Sequence, residues 1–254
     1  MNNLTKIALI TGGSRGLGKN MALHLAARGR DIIITYRSKQ HEAEATVAEI
    51  TVMGRKAIAL PLDVGQSSGF DAFAQQLQAA LQHNWGKNRF DYLINNAGSG
   101  IYKPFMETTA DEFDRMVNEH IKAPYFLSQA LLPLMNDEGR ILNISSGLTR
   151  LVLPGYSAYA IMKTAVESFT QYLAKELAPR RIRVNTLAPG AIETDFGGGV
   201  VRDNKDLNNH IAAITALGRV GLPDDIGGAV TAILDEDAGW INAQRIEASG
   251  GQGL

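Results

Sequence analysis

Seven short runs rich in β-branched and aliphatic residues recur along this chain, separated by longer stretches of helical pattern. That alternation constrains the fold more than any other feature. The runs lie at residues 6–11, 31–36, 56–61, 91–95, 139–145, 181–187 and 244–247, and the helical stretches at 17–28, 42–53, 68–83, 110–135 and 158–178. Strands that are apolar on both faces need cover on both faces, and the intervening helices supply it. The expected fold class is α/β, a doubly wound, seven-stranded, mostly parallel sheet with helices on each side. No repeat, low-complexity tract or linker divides residues 1–254, so one domain is expected. The nearest approach to a hinge, Gly197-Gly198-Gly199, leads only into a polar segment.

Composition removes several classes of function. With 45% hydrophobic and 20% charged residues the chain has the balance of an ordinary soluble globular protein. A formal net charge of −1 and no block of like charge speak against nucleic acid or an anionic membrane as partner. No apolar run approaches the roughly 18 residues of a membrane span. The opening Met-Asn-Asn-Leu-Thr-Lys enters the first strand at once, leaving no room for a signal peptide. Zero cysteines leave neither disulfides nor thiol chemistry and fit a cytoplasmic location. The five histidines do not cluster as ligands, so no metal is expected.

The first strand runs directly into Gly12-Gly13-Ser14-Arg15-Gly16-Leu17-Gly18 and then a helix. Glycines there allow a tight turn and close backbone approach to a pyrophosphate, while the helix N-terminus offers free N–H groups and the positive end of its dipole. The end of the second strand selects the dinucleotide: a carboxylate accepts the ribose 2′-OH of NAD, whereas arginine accommodates the 2′-phosphate of NADP. The chain reads Tyr36-Arg37-Ser38 with no acid at the strand end, and Arg15 adds a second cation. NADP(H) is the expected preference, with NAD(H) possible.

Tyr159 and Lys163 stand four apart in the last long helical stretch and share a face. A phenol titrates near 10 and an ammonium near 10.4. A cation beside the phenol favours the phenolate and moves its pKa towards the working range, which makes Tyr159 a candidate acid or base.

With these residues in view, the chain resembles the short-chain dehydrogenase/reductase family, in its small single-domain, Rossmann-type branch. The likeness runs from about Thr5 to Gly251 and is carried by the residue 11–18 loop, Asn95-Asn96-Ala97-Gly98, Ser146, Tyr159 with Lys163, Pro189-Gly190 and Gly250-Gly251. It is nearest to 3-oxoacyl-carrier-protein reductases and general sugar or alcohol dehydrogenases. The resemblance implies that Asp63, followed by Val64, contacts adenine, and that Asn95, Ala97 and Gly98 line the cofactor and steady the central strands. It implies that Pro189, Gly190, Ile192 and Thr194 hold the nicotinamide carboxamide and phosphates. It implies too that Ser146 hydrogen-bonds a substrate carbonyl while Tyr159 delivers the proton and Lys163 binds the nicotinamide ribose. Ser145 should point to the opposite face, because side chains alternate along a strand. At the position of the family's usual catalytic asparagine, ungapped matching of the flanking residues places His120. Its carbonyl could preserve the water site of the proton path, its ring could add a titratable group, or it could be a packed histidine with no catalytic part.

The implied activity is interconversion of a carbonyl and a secondary alcohol, acting on CH–OH groups with hydride from the nicotinamide. The small-molecule substrate should sit between residues 148–156 and a lid at about residues 194–216, whose glycines and Phe196 suit closure. A non-catalytic NADP-binding regulator and a nucleotide-sugar epimerase or dehydratase are the other readings, since fold does not fix function. The family likeness further implies a homo-oligomer, a tetramer or dimer, with the stretches 110–135 and 158–178 pairing across an axis.

Overall fold

A computed structural model describes residues 5–254. Seven strands, β1 (Ile7–Ile10), β2 (Asp31–Tyr36), β3 (Ala57–Pro61), β4 (Phe90–Asn95), β5 (Met135–Ile144), β6 (Arg183–Pro189) and β7 (Arg245–Ala248), form one sheet in the order β3-β2-β1-β4-β5-β6-β7. Every pairing is parallel. The order reverses between β1 and β4, so a crevice opens there at the carboxyl ends of the strands, where doubly wound sheets bind ligands.

Alternation along β1 explains the two-sided core. Ile7 and Leu9 enter a cluster with Phe73, Leu77, Leu127 and Ala174, whereas Ala8 and Ile10 enter another with Met21, Leu25, Ile226 and Val230. The first cluster is covered by α3 (Phe70–Trp85) and by the helical region after β4. The second is covered by α1 (Gly16–Ala27) and α2 (Gln40–Val52).

The region expected as one helix over 110–135 is broken. It comprises α4 (Ala110–Val117), a π-helical stretch (Asn118–Leu127), α5 (Ser128–Leu131) and a 3₁₀ turn (Leu132–Leu134). Pro124 lies inside the π-helical stretch; lacking an N–H and crowding the preceding turn, it cannot join a regular i→i−4 ladder. Pro133 then ends the region, and β5 starts at Met135, earlier than the expected 139. Thr109 opens α4 with a capping box: its hydroxyl accepts from Glu112 N, while the Glu112 carboxylate accepts from Thr109 N. The helix expected over 158–178 is α6 (Ser157–Glu176).

After β6 the expected lid is substantially helical. Phe196 precedes Gly197, Gly198 and Gly199, whose φ angles of 62°, 79° and 78° only glycine adopts readily. Then follow α7 (Val200–Asp203) and α8 (Lys205–Ala213). α9 (Pro223–Ile233), with proline in its first turn and Ile226 and Val230 buried, packs on the α1 side of the sheet. Beyond β7 the chain folds back on the crevice. Gln252 is buried, its Oε1 accepts from Ala191 N at 2.9 Å, and its carbonyl accepts from Arg150 Nη2 at 2.6 Å. Gly250 and Gly251 carbonyls accept from Leu217 N and Ala216 N. Among the described residues, no helix is long and apolar enough to cross a membrane.

Candidate active site

The loop after β1 is built for close backbone approach. A Cβ on Gly18 would stand 2.1 Å from Gly12 O, and one on Gly13 would stand 2.4 Å from Ile34 Cγ2. Gly12 (φ 67°) and Gly16 (φ 54°) take left-handed conformations. No side chain caps α1 at Arg15, so the first-turn N–H groups that include those of Leu17 and Gly18 are left for an anion. Thr46 Oγ1 donates to Ser14 O, and Thr11 Oγ1 accepts from Asn96 N and Ala97 N, which ties the loop to the one after β4. Arg15 and Arg37 are exposed at the mouth of this cradle, with Ser38 beside Arg37 and Tyr36 half-buried below. The donor set, bare amides and two guanidinium groups, fits a dinucleotide carrying an additional phosphate.

Asp63 is exposed beside the half-buried Val64, and its Oδ1 accepts from Gly65 N at 2.9 Å. Asn95 donates to Ser128 Oγ at 3.1 Å and Asn143 Oδ1 at 2.8 Å, linking β4 to β5 and α5. On the opposite wall, Gly190 N donates to Ala248 O, Ile192 bridges to Gly221, and buried Thr194 accepts from Phe196 N. A Cβ on Gly190 would meet Ser249 and Gln252 within 3 Å.

Ser146 follows β5, half-buried, and accepts from Leu148 N at 3.2 Å as the cap of a short 3₁₀ turn. Ser145 points away, donating to Glu167 Oε1 at 2.7 Å, as strand alternation requires. Tyr159 is buried between the His120 ring, edge-on at 5.3 Å, and the Phe196 ring at 5.7 Å. The structure departs from the expected effect of Lys163. Its Nζ donates to Ile144 O at 2.8 Å and stands 5.5 Å from the centre of the Tyr159 ring. Burial pushes the Tyr159 phenol above its ordinary range, while the Ser146 side chain pulls the other way. Burial also lowers the Lys163 ammonium to about 8, against the raising influence of Glu119.

His120 is 3% exposed and Nε2 lies 2.6 Å from Ser99 O, the spacing of a donated N–H. Burial first, then the Lys163 charge, lowers its pKa to about 3. The ring is thus neutral at physiological pH, and it fills the space against Gly98, where a Cβ would lie 2.3 Å from its Cε1. Burial thus opposes charging of the ring, and the contacts it makes are packing and one hydrogen bond.

One feature escaped the sequence reading. Glu119 is a buried carboxylate whose Oε1 lies 4.0 Å from Arg37 Nη1. Only the pattern Glu119-His120 at expected core positions could have signalled it. The expected substrate wall, residues 148–156, borders a cleft of about 800 Å³ beside α6, lined by Tyr102, Phe105, Leu148, Val152, Tyr156 and Ile161 among others, with no charged side chain and no residue of the 194–216 segment in its lining. Its Tyr102 and Tyr156 rings lie 5.1 Å apart.

Known proteins share this sequence and architecture. A family model described as Enoyl-(Acyl carrier protein) reductase, adh_short_C2, matches residues 12–252. The hydroxynaphthalene reductase-like protein Arp2 of Metarhizium brunneum is 34% identical over 257 residues, covering 97% of this chain and 94% of that one. Among solved structures, the promiscuous reductase LugOII, which catalyses keto-reduction at C1 during lugdunomycin biosynthesis, superposes with a TM-score of 0.92 at 37% identity, over 98% of each chain. The angucycline C-6 ketoreductase LanV with bound NADP also gives 0.92, at 34% identity, over 98% of this chain and 96% of that one. With the glycine cradle, the serine, tyrosine and lysine at one crevice and likeness along nearly its whole length, the chain belongs to the short-chain dehydrogenase/reductase family, a family of oxidoreductases acting on carbonyl and alcohol groups.

Proposed function

We propose that this protein is an NADPH-dependent ketoreductase that converts a ketone on a planar, aromatic polycyclic molecule to a secondary alcohol. The observation that carries this reading is the uncharged, aromatic-lined cleft shared by Leu148 and Tyr156, on the two segments that present Ser146 and Tyr159. Flat aromatic rings pack favourably against tilted aromatic side chains, and desolvating a charge there would be costly. A 3-oxoacyl group delivered on an acidic carrier would want cations around the cleft mouth, and its lining has none. Similar proteins named for hydroxynaphthalene and angucycline reduction support the aromatic class, and the LanV complex supports NADP.

The dinucleotide, when bound, supplies the hydride. Arg15, Arg37 and the amides that start α1 would hold its phosphates, with Asp63, Val64, Ala97 and Gly98 along the adenosine and Pro189, Gly190, Ile192 and Thr194 at the nicotinamide end. Ser146 donates a hydrogen bond to the substrate carbonyl oxygen. Tyr159, kept protonated by burial, gives that oxygen its proton. The Lys163 ammonium near the ring stabilises the phenolate left behind, a service worth more in a dry site than in water. Phe196, on the glycine-hinged segment 194–216, acts as a lid that excludes water.

Phe113, Tyr125, Phe126, Ile161 and Tyr172 leave an exposed apolar face along α4, the π-helical stretch and α6, which supports a homo-oligomer paired through these helices. The absence of cysteine supports a cytoplasmic setting.

Turnover of Tyr159→Phe tests the assignment on a panel of aromatic and aliphatic ketones with NADPH and NADH. The variant should bind NADPH normally and lose reduction by about 10²–10⁴-fold, the usual contribution of a positioned acid. Near wild-type reduction by the variant would overturn it. A preference for aliphatic over aromatic ketones in the wild type would remove the substrate class.

A further inference from the structure

Glu119 is a carboxylate that neither the phosphate cradle nor the tyrosine chemistry uses, yet it is 6% exposed. Its oxygens have separate partners. Oε2 accepts from Ser99 N at 2.8 Å and Ser99 Oγ at 2.6 Å. Oε1 lies 4.0 Å from Arg37 Nη1, and the Arg37 side chain is 67% exposed. On its inner side, Glu119 and Lys163 line one small cavity with Thr11, Asn95 and His120, about 20 Å³ in volume. A polar cavity of that size has room for a single water. The carboxylate thus has the active-site ammonium on one side and a solvent-washed guanidinium on the other.

The groups around it narrow the possibilities. His120, from the same π-helical stretch, has Nε2 committed to Ser99 O and stays neutral. Asp63, from the segment after β3, borders Gly65 together with Glu119 and is exposed. Arg37 comes from the end of β2 and Lys163 from α6. Within the cavity lining, Glu119 is the one carboxylate beside Lys163.

We propose that Glu119 passes protons between solvent at Arg37 and a water in the cavity against Lys163, and so keeps the lysine charged between turnovers. The proposal rests on the reading of Tyr159 as the acid. In reduction, the substrate oxygen takes the Tyr159 hydroxyl proton, and the phenolate is reprotonated at the expense of the Lys163 ammonium. The amine takes a proton from the cavity water, and the Glu119 carboxylate picks up a proton from solvent and passes it to that water. The carboxylate is thereby left as it began. One proton enters for each alcohol formed, and every protein group ends the cycle unchanged. Glu119 touches none of the reacting atoms and acts through Lys163, so it is a positioning residue for protons.

The test measures kcat against pH, in H₂O and D₂O, for the wild type, Glu119→Gln and Glu119→Asp with a ketone the wild type reduces, and titrates each with NADPH. Glu119→Gln should lower kcat about tenfold, less than the 10²–10⁴-fold of a direct proton donor. Its solvent isotope effect should grow, and its alkaline limb should move down because the charge that raises the lysine pKa is gone. KM for the ketone should stay at its wild-type value, the fall in kcat should persist at saturating NADPH whatever the loss of the Arg37 neighbour does to NADPH affinity, and Glu119→Asp should keep most of the rate. Unchanged kcat, isotope effect and limb in Glu119→Gln would overturn the proposal. So would equal losses in both variants, or a loss confined to NADPH affinity. If Tyr159→Phe reduces ketones normally, the tyrosine reading itself has failed; an inactive Tyr159→Phe beside a normal Glu119→Gln removes Glu119 alone.

Discussion

Acidification should destabilise this protein through His120. Burial lowers its pKa from 6.5 to about 3 in the fold, so below pH 6.5 the unfolded chain binds a proton that the native state refuses. Stability therefore falls as pH drops through the window from 6.5 to 3, and the loss is absent above it. At pH 5 the unfolded imidazole is almost fully protonated and the native one hardly at all. At about 1.36 kcal/mol per unit of pKa, the cost relative to pH 7 is ~2 kcal/mol. In a chain of this size that is a fall in Tm of roughly 4–8 °C. The measurement is urea unfolding of the wild type and His120→Asn at pH 7 and pH 5. The substitution also removes packing against Gly98 and the bond to Ser99 O, but that change is common to both pH values and cancels. The Asn variant should lose ~2 kcal/mol less than the wild type between the two conditions. Equal losses in both proteins would refute the reasoning, because they would mean that the imidazole takes up its proton inside the fold.

Two further outcomes follow from the site. Arg37→Ala removes a charged donor from the 2′-phosphate position, so the Kd for NADPH should rise by the ~1.5–3 kcal/mol of a bond to a charged group, about ten- to a hundredfold, with NADH unaffected; an equal effect on both dinucleotides in a fluorescence titration would place Arg37 elsewhere. The Lys163 ammonium is lowered by burial to about 8, so it is charged below that pH and neutral above; ketone reduction should hold level up to about pH 8 and fall beyond it, and a profile level to pH 10 would contradict this.

Much of the fold was legible because its signals are local. An apolar run such as Asp31–Tyr36 is buried at every position but its last, and a continuous apolar run bounded by loops has few alternatives to a buried parallel strand. The glycine loop was equally legible, since the nearest contact that excludes a side chain at Gly18 is Gly12 O, close in sequence. The break in the helix after Ala110 was less so: Pro124 marks the place, but whether a proline kinks a helix or widens it into π turns depends on what the neighbouring elements pack against it. The lid helices are short and polar, with Ile211 alone buried in α8, and so lack an apolar stripe to read. For the site, Tyr159 and Lys163 stand out by type and spacing and Ser146 by the family resemblance, and the structure brings the three together. Their electrostatics were not legible in the sequence. Lys163 turns to Ile144 O, nineteen positions away, and Glu119 meets Arg37 across the fold; both depend on tertiary contacts that no spacing rule contains.

Gln252 has a consequence for the order in which this molecule is made. Its side chain fixes Ala191 beyond β6 and its carbonyl holds Arg150 beyond the serine loop. Two walls of the crevice thus take their separation from a residue synthesised about a hundred positions after one of them. The side-chain bonds that tie down the loop after β1 run to Thr46, Asn96 and Ala97, all made earlier. The wall proposed for the nicotinamide is fixed against the serine loop only once Gln252 has left the ribosome.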